Sequence, residues 1–210
     1  MKKFLNSIRK EEKQLSLKRK IINTILLLLL GIILGLISKW LDSRYFDIPL
    51  LDYLDLGNFF SNISIWLLIA LFISVYSASP KRASINVFIF FLGMTISYHS
   101  YTIIFNGFNP KNYMLLWYGI TLVSPILAYF VWYVKSNNKY TIILSSIIVF
   151  VMSKCCFSIG MWYFNTRGLL YTVTFLTSLY ILHTNAKKTM ISFIIGLLLS
   201  FIIYLPFLNG

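Results

Sequence analysis

The run IINTILLLLLGIILGLIS, from Ile21 to Ser38, constrains this chain more than any other stretch. As a helix it is long enough to cross a bilayer core of about 30 Å. Ahead of it stands MKKFLNSIRKEEKQLSLKRK, with eight Lys and Arg against Glu11 and Glu12. Basic flanks stay on the cytoplasmic side, so this pair of segments predicts an N-terminus inside and fixes the orientation of the later apolar segments. The run exceeds a signal-peptide core and lacks a small-x-small cleavage site before Lys39, so an uncleaved anchor is expected. Phe4, Ile8 and Leu15 fall near one face of the preamble. That pattern suits a short helix in the headgroup layer, and a disordered basic tail is the other reading.

Composition then sets the class. Hydrophobic residues make up 58% of the chain and charged residues only 12%, about half the charge of a soluble domain. A single membrane domain over residues 21–207 is expected, behind a basic segment at 1–20. The net charge of +13 does not point to nucleic acid, because the basic residues sit at the ends of apolar runs. They read as topology determinants and as contacts with anionic lipid headgroups. The bilayer and those headgroups are therefore the expected partners, with no nucleic acid.

Seven apolar segments can be laid out, at about 21–38, 62–77, 84–105, 113–134, 140–163, 169–183 and 190–206. The predicted fold is an all-α polytopic transmembrane bundle, N-in and C-out; six spans is the alternative if one segment only lies at the interface. The charges support the layout. The expected inner segments hold fourteen Lys and Arg and the outer ones only Lys39, Arg44, Lys111 and Arg167, as the positive-inside rule requires. The five tryptophans fall mostly near predicted span ends, as interfacial residues would. In the first outer loop, Asp47 and Pro49 resemble a helix start and Gly57 a stop, so a short amphipathic helix is expected on the outer face. Pro125 falls within the fourth span, where it should free a backbone carbonyl and kink the helix.

All six acidic side chains, Glu11, Glu12, Asp42, Asp47, Asp52 and Asp55, lie at or before position 55 of the 210 residues. Two-carboxylate hydrolysis and Asp/Glu proton relays cannot be built from the remainder. No HExxH, GxSxG, P-loop or GxGxxG occurs. No catalytic residue, metal ligand or cofactor is assigned, and an enzyme is not expected. Cys155 and Cys156 are adjacent and read as small apolar residues in a packed helix.

Two ionisable residues nevertheless fall inside predicted spans, His99 in the third and Lys154 in the fifth. At about 1.5 Å per residue both lie roughly 21–22 Å from the inner end of their helices, which places them at similar depth in the outer leaflet. Such residues usually face the bundle interior or a wet cavity. They suggest an outer polar pocket of His99, Tyr101, Lys154 and Arg167, lidded by residues 47–57, that binds a small-molecule ligand. Lys154 has no carboxylate within the spans, so its expected partners are outer-loop aspartates, backbone carbonyls or an anionic ligand. The other reading has Lys154 reaching toward the headgroups and His99 hydrogen-bonding a neighbouring helix. Asn23, Asn86, Ser145 and Ser146 read as hydrogen-bonding glue between helices. Gly31, Gly35, Gly93 and Ser97 form small-residue faces that allow close helix packing; they could also dock a membrane protein partner or a second copy of the chain.

The segments ISIWLLIALFISVYSASPKRASINVF, NPKNYMLLWYGITL and FSIGMWYF resemble those of small multi-spanning membrane proteins of low-GC bacteria, over most of the chain. The resemblance implies a bacterial plasma membrane and no particular chemistry. Vitamin-transporter substrate-binding subunits of the energy-coupling-factor type have a similar size and an outer pocket, but this chain differs in span count and lacks their Ala-xxx-Ala docking pattern. Binding or transport of a small molecule is thus the leading expectation. An accessory subunit of a membrane complex is the second.

Overall fold

The computed structural model describes residues 9–10, 15–43, 53–136, 138 and 140–203. Eight helices of six residues or more lie within them: α1 (Leu17–Asp42), α2 (Leu56–Ser61), α3 (Ile63–Val75), α4 (Pro80–Asn106), α5 (Lys111–Val131), α6 (Tyr140–Cys156), α7 (Leu169–Leu182) and α8 (Ala186–Ile202). A 3-10 turn, Trp132–Lys135, extends α5, and a two-stranded hairpin, β1 (Phe157–Gly160) and β2 (Tyr163–Thr166), follows α6. Three helices are long and apolar enough to cross a membrane: α1, α4, and α5 with its 3-10 extension. Helices α3, α6 and α7 are apolar but shorter.

Local chemistry explains several helix starts. Ser79 accepts the Arg82 amide and Pro80 opens α4, where a missing N–H costs nothing. Asn62 caps α3 through the Ser64 amide at 2.9 Å, and Asn185 caps α8 through Lys187 at 3.0 Å. Pro125 does not break α5. The Thr121 carbonyl, which would have accepted the missing amide, accepts the Ser124 hydroxyl at 2.8 Å instead.

Two hydrophobic clusters form the interior, and the short helix α3 contributes to both. Trp66 and Ile73 pack with Phe90, Phe91, Met94, Met114, Trp117 and Trp132 of α4, α5 and its extension. Leu71 and Val75 pack with Val149, Met152, Phe157, Ile159 and Phe175 of α6, the hairpin and α7. Trp66 and Trp132 are therefore core residues rather than interfacial ones, 1% and 0% exposed. Each indole N–H is satisfied inside the bundle, by the carbonyls of Phe60 at 2.8 Å and Ser77 at 2.6 Å. Trp162, 90% exposed at the hairpin tip, is placed as an interfacial residue would be.

The closest helix pair is α1 on α4. A Cβ at Gly35 would stand 2.5 Å from the Met94 carbonyl oxygen, and one at Gly93 would stand 2.7 Å from that of Leu28. At Gly31 it would overlap the Phe90 carbonyl, and at Gly35 also the Ser97 hydroxyl. The two small-residue faces thus meet each other within one chain. A third contact of this kind, unforeseen in the sequence, sets Gly196 of α8 against Val149 and the Ser146 carbonyl of α6.

Two expectations are corrected. The fifth segment is not helical to Tyr163: α6 ends at Cys156 and the chain turns into the hairpin, pairing Phe157 with Thr166 and Gly160 with Tyr163. Phe157 and Ile159 are buried while β2 is exposed along its length. The Phe157 ring lies 5.1 Å from Phe164 and 5.0 Å from Phe175, so cross-strand and core packing outweigh continuation of the helix. The helix stop expected at Gly57 also lies elsewhere. Asp55 adopts a left-handed conformation, φ 47° and ψ 50°, and Gly57 sits inside α2. There it admits the end of α1, whose Leu41 carbonyl would be 3.3 Å from a Cβ. The expected helix start at Asp47 and Pro49 lies outside the described residues, as do Phe4, Ile8 and Pro206.

Candidate functional site

The four residues of the expected outer pocket have different surroundings. His99, on α4, has both ring nitrogens engaged: Nε2 with Asn109 Oδ1 at 3.0 Å and Nδ1 with the Tyr118 hydroxyl at 3.0 Å. The amide oxygen can only accept, so Nε2 donates to Asn109, while the Tyr118 hydroxyl can either donate to Nδ1 or accept from it. The Tyr101 ring packs at 4.6 Å on Phe105 of its own helix. Lys154, on α6, is 0% exposed and donates to the Ile159 carbonyl at 2.8 Å. In a hairpin with a two-residue loop, alternate residues turn their carbonyls away from the partner strand. Ile159 is in that outward set, and the Lys154 ammonium satisfies it. Of the expected partner types, Lys154 thus takes a backbone carbonyl. Arg167 is half-buried beyond β2.

The same end of the bundle carries a second polar cluster. Lys39 and Asp42 form an ion pair within α1. The Ser61 hydroxyl donates to Asp42 at 3.2 Å, and the Lys39 ammonium lies 5.4 Å from the Tyr98 ring. Beneath it is an enclosed void of about 10 Å³ among Ser38, Trp66, Thr95, Tyr98 and Trp117, room for about one water. Among the described residues, no group of three or more His, Cys, Asp and Glu could hold a metal ion.

A large cavity lies at the other end, the end rich in Lys and Arg. It is an open groove of about 590 Å³ between α1, the end of α3 and the start of α4. Leu15, Arg19, Asn23, Leu26 and Leu27 form one wall, the last four spaced as one helical face. Phe72, Ile73, Tyr76, Ser77 and Ala78 form the second, and Arg82 and Asn86, one turn apart on α4, the third. The lining is graded. Arg19, Asn23, Tyr76, Ser77, Arg82 and Asn86 gather toward the helix ends, and Leu26, Leu27, Phe72 and Ile73 lie deeper along the helices. Phe72 and Tyr76 are each more than half exposed.

A hydrogen-bonded frame holds the polar part. Arg82 Nη2 donates to the Lys20 carbonyl at 3.0 Å, Thr24 Oγ1 at 2.7 Å and Asn86 Oδ1 at 2.9 Å. Asn86 Nδ2 donates to Ser77 Oγ at 3.1 Å, and that hydroxyl donates to the Ile73 carbonyl at 2.7 Å. Behind the frame, the Arg9 guanidinium lies 4.1 Å over the Trp132 ring and donates to the carbonyls of Trp132 at 2.6 Å and Val75 at 3.1 Å. Arg9 is thereby anchored beside the groove. In the sequence Arg82 reads only as a topology charge and Asn23 and Asn86 as helix glue. A usable signal was present: Asn23, Arg82 and Asn86 all fall within two turns of the basic ends of their helices. In comparisons with protein-family models, curated proteins and solved structures, nothing matches the chain.

Proposed function

We propose that this chain is a multi-pass, non-enzymatic protein of a bacterial plasma membrane that binds an amphiphilic small molecule. The N-terminus is placed in the cytoplasm, with seven crossings. The observation that carries the reading is the graded groove. Its volume falls in the range of small-molecule sites, about 300–1,000 Å³, and its walls pass from guanidinium and amide groups to Leu and Phe. A molecule with a polar head and an apolar tail matches that sequence of surfaces. This moves the binding site from the outer leaflet to the inner one.

Native mass spectrometry of the full chain in a mild detergent tests the reading. One bound amphiphile per chain is expected, lost when Leu27→Trp fills the groove. A chain that carries no small molecule refutes it. The second reading, an accessory subunit that docks a membrane partner, is favoured by one observation: Gly119 lies on the open face of α5 with nothing within 4 Å of where its Cβ would be. A bare glycine on such a face leaves room for a second helix. A stoichiometric co-purifying protein would favour it.

A further inference from the structure

We infer that the groove selects a phosphate-bearing headgroup of a membrane lipid, with Arg82 as its anchor; this rests on the reading of the groove as an amphiphile site. Arg82 is half-buried, and its three hydrogen bonds all leave through Nη2. The acceptors are a carbonyl, a hydroxyl and an amide, all neutral. They fix the plane of the guanidinium and leave its charge uncompensated. Nε and Nη1, with three N–H donors between them, have no partner among the described residues. A planar guanidinium held from one side with its remaining fork open is suited to bidentate capture of a phosphate.

Among the described residues, no carboxylate competes with an anion at Arg82. The described carboxylates, Asp42 and Asp55, lie at the other end of the bundle; Glu11 and Glu12 lie outside the described residues. Arg19, on the α1 wall, adds a second cation to the groove, and its guanidinium has no partner among the described residues. From Arg19 to Leu27 is eight residues, about 12 Å along a helix. Charge and apolar floor are thus separated as a lipid's phosphate and first acyl carbons are. A free phosphate would use only the rim; the Leu and Phe walls commit the groove to a lipid.

The test uses the full chain in a neutral detergent, with binding read by native mass spectrometry over a titration of each probe. The probes are short-chain phosphatidylglycerol, the matching diacylglycerol, and inorganic phosphate. Phosphatidylglycerol is expected to bind at least about tenfold tighter than diacylglycerol, and inorganic phosphate not at all. Arg82→Gln should remove that preference and Arg82→Lys restore only part of it. Because Arg82 also ties α4 to α1, Arg19→Gln serves as a second variant with the frame intact, and should lower the preference severalfold. Equal binding of both lipids would overturn the headgroup inference while leaving the amphiphile reading standing; binding of neither would overturn both. Preference that emerges only in a Glu11→Gln/Glu12→Gln variant would mean that the chain's own carboxylates fill the site, and would also overturn it.

Discussion

Replacing Gly35 by alanine is the sharpest test of how this bundle is held. The new Cβ would lie 2.5 Å from the Met94 carbonyl oxygen and 3.1 Å from Met94 Cα, and would overlap the Ser97 hydroxyl. The serine side chain can rotate away; the Met94 backbone cannot. A carbon–oxygen contact settles at about 3.3 Å, so α1 must move about 0.8 Å off α4. A gap of that size forfeits a quarter to a half of each dispersion contact along the seam, and overpacking of this kind costs about 1–3 kcal/mol. Removing a glycine from a helix returns up to about 1 kcal/mol. The net expectation is a loss of about 1–2 kcal/mol for Gly35→Ala. Gly119→Ala supplies the control, because its Cβ meets nothing within 4 Å; it keeps the propensity gain with no clash and should stabilise by a few tenths to 1 kcal/mol. Unfolding by sodium dodecyl sulfate in mixed micelles, followed by tryptophan fluorescence, measures both. Gly35→Ala as stable as Gly119→Ala would refute the claim that the seam is limited by backbone contact.

Other perturbations separate the two ends of the molecule. Lys154→Met leaves the Ile159 carbonyl without its donor and should cost about 1–3 kcal/mol in the same unfolding assay, without changing lipid binding in the groove. Trp132→Phe loses the 2.6 Å bond to Ser77 and weakens the Arg9 stack; a loss of about 1–2 kcal/mol is expected, together with faster proteolysis of the basic preamble. His99→Ala removes two hydrogen bonds to α5 and the loop before it, and should destabilise by about 1–2 kcal/mol with groove binding again unaffected. Cys155 and Cys156 are both buried, so a maleimide should label neither in the folded protein and both after unfolding; rapid labelling of the native protein would contradict the packing of α6.

Much of this architecture is local in origin and was legible in the sequence. An apolar run of given length extends as a helix wherever it lies, and the residues that start helices, Asn62, Ser79 with Pro80, and Asn185, act within three positions of themselves. The first run, the small-residue faces on α1 and α4, and the breaks between segments are features of that kind. The sequence alone left undecided what those faces would meet. Gly31 and Gly35 could have packed on another chain; the fold sets them against Phe90, Met94 and Ser97 of their own. The hairpin was equally undetermined, since a short apolar and aromatic stretch such as FSIGMWYF suits a helix end or a strand. Packing of Phe157 on Phe175, eighteen residues away, decides for the strand. His99 and Lys154 stand out in the sequence as polar groups inside apolar runs, but their partners depend on where α5 and the hairpin come to rest. Arg82 is the clearest case. Its charge was visible, whereas its fixed orientation comes from Lys20 and Thr24, about sixty residues earlier. Helix formation is set by neighbours in sequence, and a site is set by groups that only the packing of distant helices brings within 3 Å of one another.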